Sequence, residues 1–319
     1  MAFYIGVDIG GTNIKAGVTD GTGNLVGEAE MPTGANRPQE AVIGDILSAA
    51  DRAVSAAGVL RREIFAAGVG CPGTVESSSG SVVYNNNLGW RDFPLGKLLS
   101  EAWRLPVRVE NDANAAALGE VCAGSARGAS SAMILTLGTG VGSGFVVEGR
   151  IWTGWNASAC EFGHMVIVKG GRPCTCGRRG CLEAYASATG LIDMTREAMA
   201  AHPESLMNAL AEREGRVGGH TAFAAAERGD AAALRVVDEY VDYLACGVTN
   251  IVNGLQPEVV GIGGGVGRQG DRLLTPLRQK VYAEVYGGRG ERFTRLTQCT
   301  LGYRAGLVGA AMAAMQSTV

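Results

Sequence analysis

A strand, a tight glycine turn and a second strand occur twice in this chain, and no other feature constrains the fold as much. The first copy is Phe3–Ile9, Gly10-Gly11-Thr12 and Ile14–Val18. The second is Ala132–Leu137, Gly138-Thr139-Gly140-Val141-Gly142 and Gly144–Val147. Each is followed by a turn and a further strand, Asn24–Glu30 and Arg150–Thr153. Runs of strand formers broken by glycine read as hairpins. Two such openings predict an internal duplication, with two similar lobes around a cleft.

The remaining segments alternate helix and strand. Gln39–Ala57 places Val42, Ile46, Leu47, Ala50 and Val54 at helical spacing. Phe65–Val69 reads as a buried strand ending in Gly70-Cys71-Pro72-Gly73, and Val107–Val109 as a short strand running into Glu110-Asn111-Asp112. Helices are expected over Ala113–Ala123, Asp230–Leu255 and Arg304–Met315. Val259–Ile262 is a strand that meets Gly263-Gly264-Gly265. This alternation is the signature of an α/β protein.

At 319 residues the chain is long enough for about two domains. With 46% hydrophobic and 18% charged residues it can bury a core, which excludes a largely disordered chain. Twenty-eight basic against thirty-one acidic residues leave no global attraction to nucleic acid or an anionic membrane. Gly128–Val147 is uncharged and about long enough to cross a bilayer, but its glycines and interleaved Ser and Thr read as strand, turn and strand. The N-terminus lacks the basic and apolar regions of a signal peptide, so a cytoplasmic protein without membrane partners is expected.

Three constellations carry chemistry. The turns at Gly10-Gly11-Thr12 and Gly138-Thr139-Gly140 let backbone N–H groups approach a phosphate that a Cβ would keep away. Asp8 and Lys15 flank the first. Neither turn has the Walker A pattern, and a hairpin turn needing positive φ would look the same. With the Gly263–Gly265 loop, however, they suit a nucleotide. The second constellation is Cys174, Cys176 and Cys181, with His164 upstream. Three thiolates and an imidazole make a closed tetrahedral zinc site, so the zinc is expected to be structural. His202 and His220 sit in polar contexts, and the five other cysteines read as reduced thiols. The third is a set of polar residues beside glycine turns: Asn85-Asn86-Asn87, Glu110-Asn111-Asp112, Glu161, His164 and Glu183. Such groups cap helices, and Asp112 would serve as an N-cap. They also suit a polyol, because carboxylates and amides bind hydroxyls and one carboxylate can accept the reacting proton.

On these residues the chain resembles the ROK family (repressors, uncharacterised frames, sugar kinases), and within it the bacterial glucokinases. The resemblance runs through Asp8-Ile-Gly-Gly-Thr12, Gly70-Cys-Pro-Gly73, Asn87-Leu-Gly-Trp90, Glu110-Asn-Asp-Ala-Asn114, Leu137-Gly-Thr-Gly140, Glu161-Phe-Gly-His164, the Cys174–Cys181 string with Glu183, and Gly263–Gly265. It implies a two-lobed actin-like ATPase fold with ribonuclease-H-like cores. One lobe would comprise residues 1–117 plus 303–319, and the other, carrying the zinc, 118–302. ATP phosphates would meet Gly10, Gly11, Thr12, Gly138, Thr139 and Gly140, with Lys15 nearby and the adenosine near Gly263, Gly264 and Gly265. Asp8 would anchor Mg²⁺ through water. Sugar hydroxyls would meet Asn87, Asn111, Asp112, Glu161, His164 and Glu183, with Asp112 as catalytic base. His164 would give one ring nitrogen to zinc and the other to the sugar. The chain departs from the family pattern at Cys160 and Ser143, where glycine is common.

The expected activity is ATP-dependent phosphorylation of a hexose, with glucose preferred and N-acetylmannosamine, fructose, mannose or allose as alternatives. Polyphosphate is an alternative donor, and a homo-oligomer, dimer or tetramer, is expected. The rival class is a sugar-responsive repressor. It is disfavoured because seven residues precede Asp8, too few for a helix-turn-helix domain, and the charge is not basic. Glu110 is the nearest competitor of Asp112 as base.

Overall fold

The structure is a computed structural model that describes residues 2–34, 37–85, 88–287 and 293–318. Strands β1 (Phe3–Ile9), β2 (Asn13–Asp20) and β3 (Leu25–Pro32) form an antiparallel meander. β4 (Ile64–Cys71) pairs parallel to β1. A small antiparallel sheet follows, made of β5 (Thr74–Glu76), β6 (Ser81–Asn85) and β7 (Trp90–Phe93). β8 (Val107–Asn111) then pairs parallel to β4. The first large sheet therefore has the order β3-β2-β1-β4-β8.

The second large sheet contains β9 (Ser131–Leu137), β10 (Val141–Val147), β11 (Arg150–Ile151), β12 (Val259–Gly263) and β13 (Arg295–Gln298). Its order is β11-β10-β9-β12-β13. In both sheets the order reads third, second, first, fourth, fifth, so the duplication expected from the glycine turns holds at the level of topology. Gly128–Val147 contributes β9, a turn and β10, and no helix among the described residues is long and apolar enough to cross a membrane.

Side-chain alternation in β1 decides what covers the first sheet. Ile5, Val7 and Ile9 share a core with Val42, Ile46, Ala49, Ala50 and Ala53 of the helix Gln39–Ala57. On the other face lies the helix Ala305–Gln316. Glycine lets it approach: a Cβ on Gly6 would stand 1.8 Å from the Leu307 carbonyl oxygen, and one on Gly68 1.7 Å from that of Ala310. The helix Asp112–Ala123 packs against the same C-terminal helix.

The chain divides into two compact units. Unit 1 comprises Met1–Ile134, Gly144–Cys160 and Thr300–Val319; unit 2 comprises Leu135–Ser143 and Glu161–Cys299. Residues 118–134 go with unit 1 because the helix Asp112–Ala123 is held along its length by Ala305–Gln316. In unit 2 the helix Ala231–Leu255 matches its expected span. Asp230 caps it by accepting from the Ala233 N–H at 2.8 Å, and Gln256, in a left-handed conformation before Pro257, ends it. The helices Leu95–Trp103, Ala188–Ala201, Leu206–Glu214, Thr221–Ala226 and Asp271–Glu284 were not expected from periodicity.

The glycine contacts predict a sharp asymmetry between positions. Gly68→Ala forces a Cβ into a backbone carbonyl and is expected to cost about 3 kcal/mol. Gly44→Ala, on the helix Gln39–Ala57 with nothing within 4 Å, is expected to stabilise by ~0.5–1 kcal/mol. Thermal unfolding of both variants checks this, and equal melting temperatures would contradict the packing argument.

Candidate active site

In unit 1 the polar residues collect at the ends of parallel strands, where α/β proteins place ligands. Asp8 lies near the end of β1 and faces Lys15 of β2 in register. The hairpin turn after it is closed by the Gly10 N–H donating to the Asn13 carbonyl at 2.9 Å. Buried Thr33 pins the turn, its hydroxyl donating to the Gly10 carbonyl at 2.7 Å and its N–H to that of Thr12 at 2.8 Å. Gly11 and Thr12 are left exposed at the tip. Lys15 lies with its Nζ 5.0 Å from the centre of the Tyr303 ring.

The structure gives the main capping role to Asn111, although Asp112 Oδ1 also accepts from the Ala113 N–H at 2.9 Å. β8 runs on to Asn111, and the helix begins at Asp112 rather than Ala113. Asn111 is the N-cap: its Oδ1 accepts from the N–H groups of Ala113 at 2.9 Å and Asn114 at 3.2 Å. Its amide also donates to the Gly73 carbonyl at 3.0 Å, which leaves one amide hydrogen for another acceptor. Glu110 is taken as well. Almost fully buried, it accepts from Arg108 Nε at 2.8 Å, Arg108 Nη2 at 2.6 Å and the Ser77 hydroxyl at 2.9 Å. Arg108 holds Oε1 and Ser77 Oε2, so both oxygens of Glu110 are occupied.

Asp112 perturbs Asp8, and burial perturbs both. Burial pushes Asp8 up to about 7, the negative charge of Asp112 pushes the same way, and Lys15 opposes both. Burial also raises Asp112, while hydrogen bonds from nearby N–H groups restrain it. Two acids that resist ionisation side by side suit a shared cation or proton. Beside them Cys71 is pushed up to about 12, mainly by burial, and stays a thiol. Asn85 braces the adjoining loop, donating to the Pro72 carbonyl at 2.7 Å and accepting from the Leu88 N–H at 3.0 Å. Asn86 and Asn87 lie outside the described residues.

In unit 2 the glycine loops come together. β9 ends at Leu137, beside the end of β12. Gly264, with φ 77°, sits so close that a Cβ would lie 2.5 Å from the Leu137 backbone. Gly138–Gly140 and Gly263–Gly265 are therefore neighbours, as a nucleotide site requires. The Gly138 carbonyl accepts from the Ala188 N–H, and the Thr139 carbonyl from the Thr189 hydroxyl, both at 2.8 Å. A cavity of about 790 Å³ beside this loop is lined in part by Thr139, Gly140, Arg172, Thr175, Glu183 and Thr189. Arg172 and Thr189 carry no motif that would have marked them in sequence.

Glu183 accepts from the Val141 N–H at 3.0 Å and the Thr175 hydroxyl at 3.2 Å. Glu161 is exposed at the start of the short turn Phe162–His164. Ser143, one of the departures from the family pattern, holds that turn by accepting from the Phe162 N–H at 3.1 Å. Gly163 is needed because a Cβ there would stand 2.1 Å from the Val141 carbonyl. The other departure, Cys160, is buried and takes a left-handed conformation with φ 68°.

The ligand atoms of His164, Cys174, Cys176 and Cys181 all lie within 4.8 Å of one another. His164 Nδ1 is 3.6 Å from Cys174 Sγ, and the sulfurs of Cys176 and Cys181 are 3.7 Å apart. Zinc–sulfur bonds of about 2.3 Å at tetrahedral angles put sulfurs ~3.8 Å apart, so the donor set fits zinc. Burial and the neighbouring thiols push Cys181 up to about 12, a crowding that a cation would relieve. Since Nδ1 faces the sulfurs, Nε2 is the free nitrogen of His164. His202 and His220 instead pair with Glu204 and Glu214.

Residues 4–317 match the model of the ROK family. The chain belongs to that family. It is 41% identical over 310 residues to a glucokinase of Halalkalibacterium halodurans, covering 96% of this chain and 93% of that protein. Among solved structures it resembles a ROK family glucokinase from Streptomyces griseus in complex with glucose and AMPPNP, with TM-score 0.84, 33% identity, and 99% of this chain and all of that one covered. It also resembles a ROK hexokinase from Thermus thermophilus, with TM-score 0.81, 35% identity and 99% of each chain covered. The two-lobed actin-like sugar-kinase fold expected from the motifs is the fold of this ROK protein.

The acid pair yields a pH prediction. A carboxyl whose folded pKa lies above its unfolded value favours the folded state only while protonated. For Asp8 that contribution is complete below about pH 4 and is lost as pH rises through about 7. Without added divalent ions, Asp8→Asn is expected to stabilise the protein at pH 8 by about 1–3 kcal/mol, and by less at pH 5. Thermal unfolding at the two pH values measures this; a gain independent of pH would place the strain elsewhere.

Proposed function

We propose that this ROK protein transfers the γ-phosphoryl group of ATP to the 6-hydroxyl of glucose, giving glucose 6-phosphate and ADP. The observation that carries this reading is the state of Asp112. It stands at a strand end beside Asp8, with Asn111 doing the capping and Glu110 committed to Arg108. That leaves Asp112, with Oδ1 on the Ala113 N–H, as the carboxylate of this strand end that can accept a proton. Glucose and ATP follow from the likeness to proteins that bear the name glucokinase, one of them solved with glucose and AMPPNP.

The residues divide the work. Asp112, its pKa raised by burial, accepts the proton of the attacking hydroxyl. Backbone N–H groups of the two glycine turns receive the phosphates, and Gly263–Gly265 adjoins the adenosine. Phosphoryl transfer depends mostly on positioning and charge neutralisation, and bound Mg²⁺ would supply part of the latter. Asp8 would hold its water shell. Asn111, Glu161, Glu183 and the free Nε2 of His164 hydrogen-bond sugar hydroxyls.

His164, Cys174, Cys176 and Cys181 would hold zinc, which would fix the tautomer of His164 and leave Nε2 available. It would also tie together the segment that carries Glu161 and Glu183.

A coupled ADP-release assay across hexoses and donors tests the function. Glucose with ATP is expected to give the highest kcat/KM, ahead of N-acetylmannosamine and of polyphosphate as donor. Asp112→Asn is expected to lose ~10²–10⁴-fold in turnover with a melting temperature no lower than wild type, since Asn111 remains as cap and a buried acid is removed. Near-normal turnover in that variant would remove Asp112 from the role of base.

Elemental analysis of protein purified without chelator is expected to find about one zinc per chain. Stripping the metal is expected to lower both melting temperature and sugar affinity, the latter by ~10-fold or more. Metal-free protein with full activity would contradict the assignment.

A further inference from the structure

We infer that Glu120 is a positioning residue for phosphoryl transfer, setting the register between the helix that carries Asp112 and the helix that abuts Asp8. The inference rests on Asp112 being the base. Glu120 lies two turns along the helix from Asp112, ~12 Å away at 1.5 Å per residue. It is fully buried, and no Lys, Arg or His among the described residues pairs with it.

Instead its carboxylate collects hydrogen bonds from two loops. Oε2 accepts from the Ser125 N–H at 2.8 Å, the Ser125 hydroxyl at 2.9 Å and the Thr300 N–H at 3.1 Å. Oε1 accepts from the Leu301 N–H at 2.8 Å. The Glu120 carbonyl accepts from the N–H groups of Gly124 and Ala126, each at 3.1 Å. Gly124 leaves the room required, since a Cβ there would stand 2.1 Å from Oε2. Thr300 and Leu301 are the entry to the C-terminal helix Ala305–Gln316, so one side chain joins both helices.

The interface between those helices explains why such a joint is needed. A Cβ on Gly119 would lie 2.2 Å from the Ala305 carbonyl oxygen, and one on Gly309 1.6 Å from that of Ala115. The backbones touch without interposed side chains. Helices ordinarily fix their register by fitting side-chain ridges into grooves. Here glycine notches take the place of ridges, and the hydrogen bonds of Glu120 to Thr300 and Leu301 add directional contacts that hold the register along the axis.

That register has chemical consequences. Asp112 rides on one helix. Gly306 on the other backs the Asp8 carboxyl so closely that a Cβ would stand 2.9–3.2 Å from it. Sliding one helix against the other shifts Asp112 relative to the backbone that backs Asp8. Glu120→Gln keeps the shape but replaces one oxygen with an NH₂ group. With its remaining oxygen on the Ser125 and Thr300 side, the NH₂ faces the Leu301 N–H, donor against donor. The turn at residues 300–301 must then shift.

The test is a double-mutant cycle of wild type, Glu120→Gln, Asp112→Asn and the double variant, with kcat, KM and melting temperature measured well below any transition. Glu120→Gln is expected to lower kcat ~10–100-fold with KM for glucose changed less than about threefold. In the Asp112→Asn background the same change is expected to lower kcat no further than about twofold, because the group being positioned is already gone. A folded Glu120→Gln with wild-type kcat beside an impaired Asp112→Asn overturns the inference and leaves the base assignment standing. An equal loss in both backgrounds also overturns it, since a purely structural residue acts without regard to Asp112. Near-normal turnover in Asp112→Asn alone instead faults the base assignment, and a loss in Glu120→Gln beside it overturns the inference too. If Glu120→Gln does not fold, Ser125→Ala, which removes one donor from the same carboxylate, carries the test on the same criteria, with a smaller loss of ~2–5-fold expected.

Discussion

The contact on which unit 1 depends is backbone against backbone. The helix Ala305–Gln316 lies on β1 and β4 through Gly6 and Gly68, and against the helix Asp112–Ala123 through Gly119 and Gly309. Close approach of this kind gives dispersion contacts along the whole helix and needs no interlocking side chains. It also places the last residues of the chain among the first, because the end of β1, with Asp8, sits under the start of that helix. A methyl group at any of the four glycines would lift the helix, and the acid at the end of β1 would lose its backing.

Electrostatics explains why that backing matters. Asp8 and Asp112 are both half-buried, burial disfavours the ionisation of each, and the charge of Asp112 adds to that effect on Asp8. Such a pair stores free energy that a cation can release. The neighbouring groups are arranged so as not to compete: Glu110 is neutralised by Arg108, Asn111 caps the helix, and Cys71 stays protonated. Asp112 gives one oxygen to the Ala113 N–H at 2.9 Å but, unlike Glu110, is held by no arginine among the described residues, which suits a general base before substrate arrives.

Unit 2 solves a different problem, that of holding irregular backbone rigid. The segment from Glu161 to Glu183 has little secondary structure. Its order comes from point contacts: Ser143 on the Phe162 N–H, Gly163 against Val141, Arg178 on the His164 carbonyl at 3.1 Å, and the cluster of three sulfurs and one imidazole. A bound metal joins residues far apart in sequence at modest cost in chain entropy once the loop is compact. Ser143 shows how a departure from a family pattern can add a hydrogen bond rather than remove one.

Much of this was legible in the sequence. The duplicated hairpins, the α/β class, the exact span of β1, the long helix after Asp230 and the His164, Cys174, Cys176, Cys181 quartet all follow from local periodicity and spacing, which short-range sterics enforce. The helices missed, such as Ala188–Ala201 and Asp271–Glu284, have weaker periodicity and are stabilised by what they pack against. The choice between Asp112 and Glu110 was also beyond the sequence. Both are acids at one strand end, two residues apart, and only the fold brings Arg108 and Ser77 to Glu110 while leaving Asp112 beside Asp8. The same holds for Glu120, which no motif marks. Its partners at Thr300 and Leu301 stand 180 and 181 residues away. Spacing along the chain reports the chemistry a segment can do; which carboxylate is free to do it depends on neighbours that only the tertiary structure supplies.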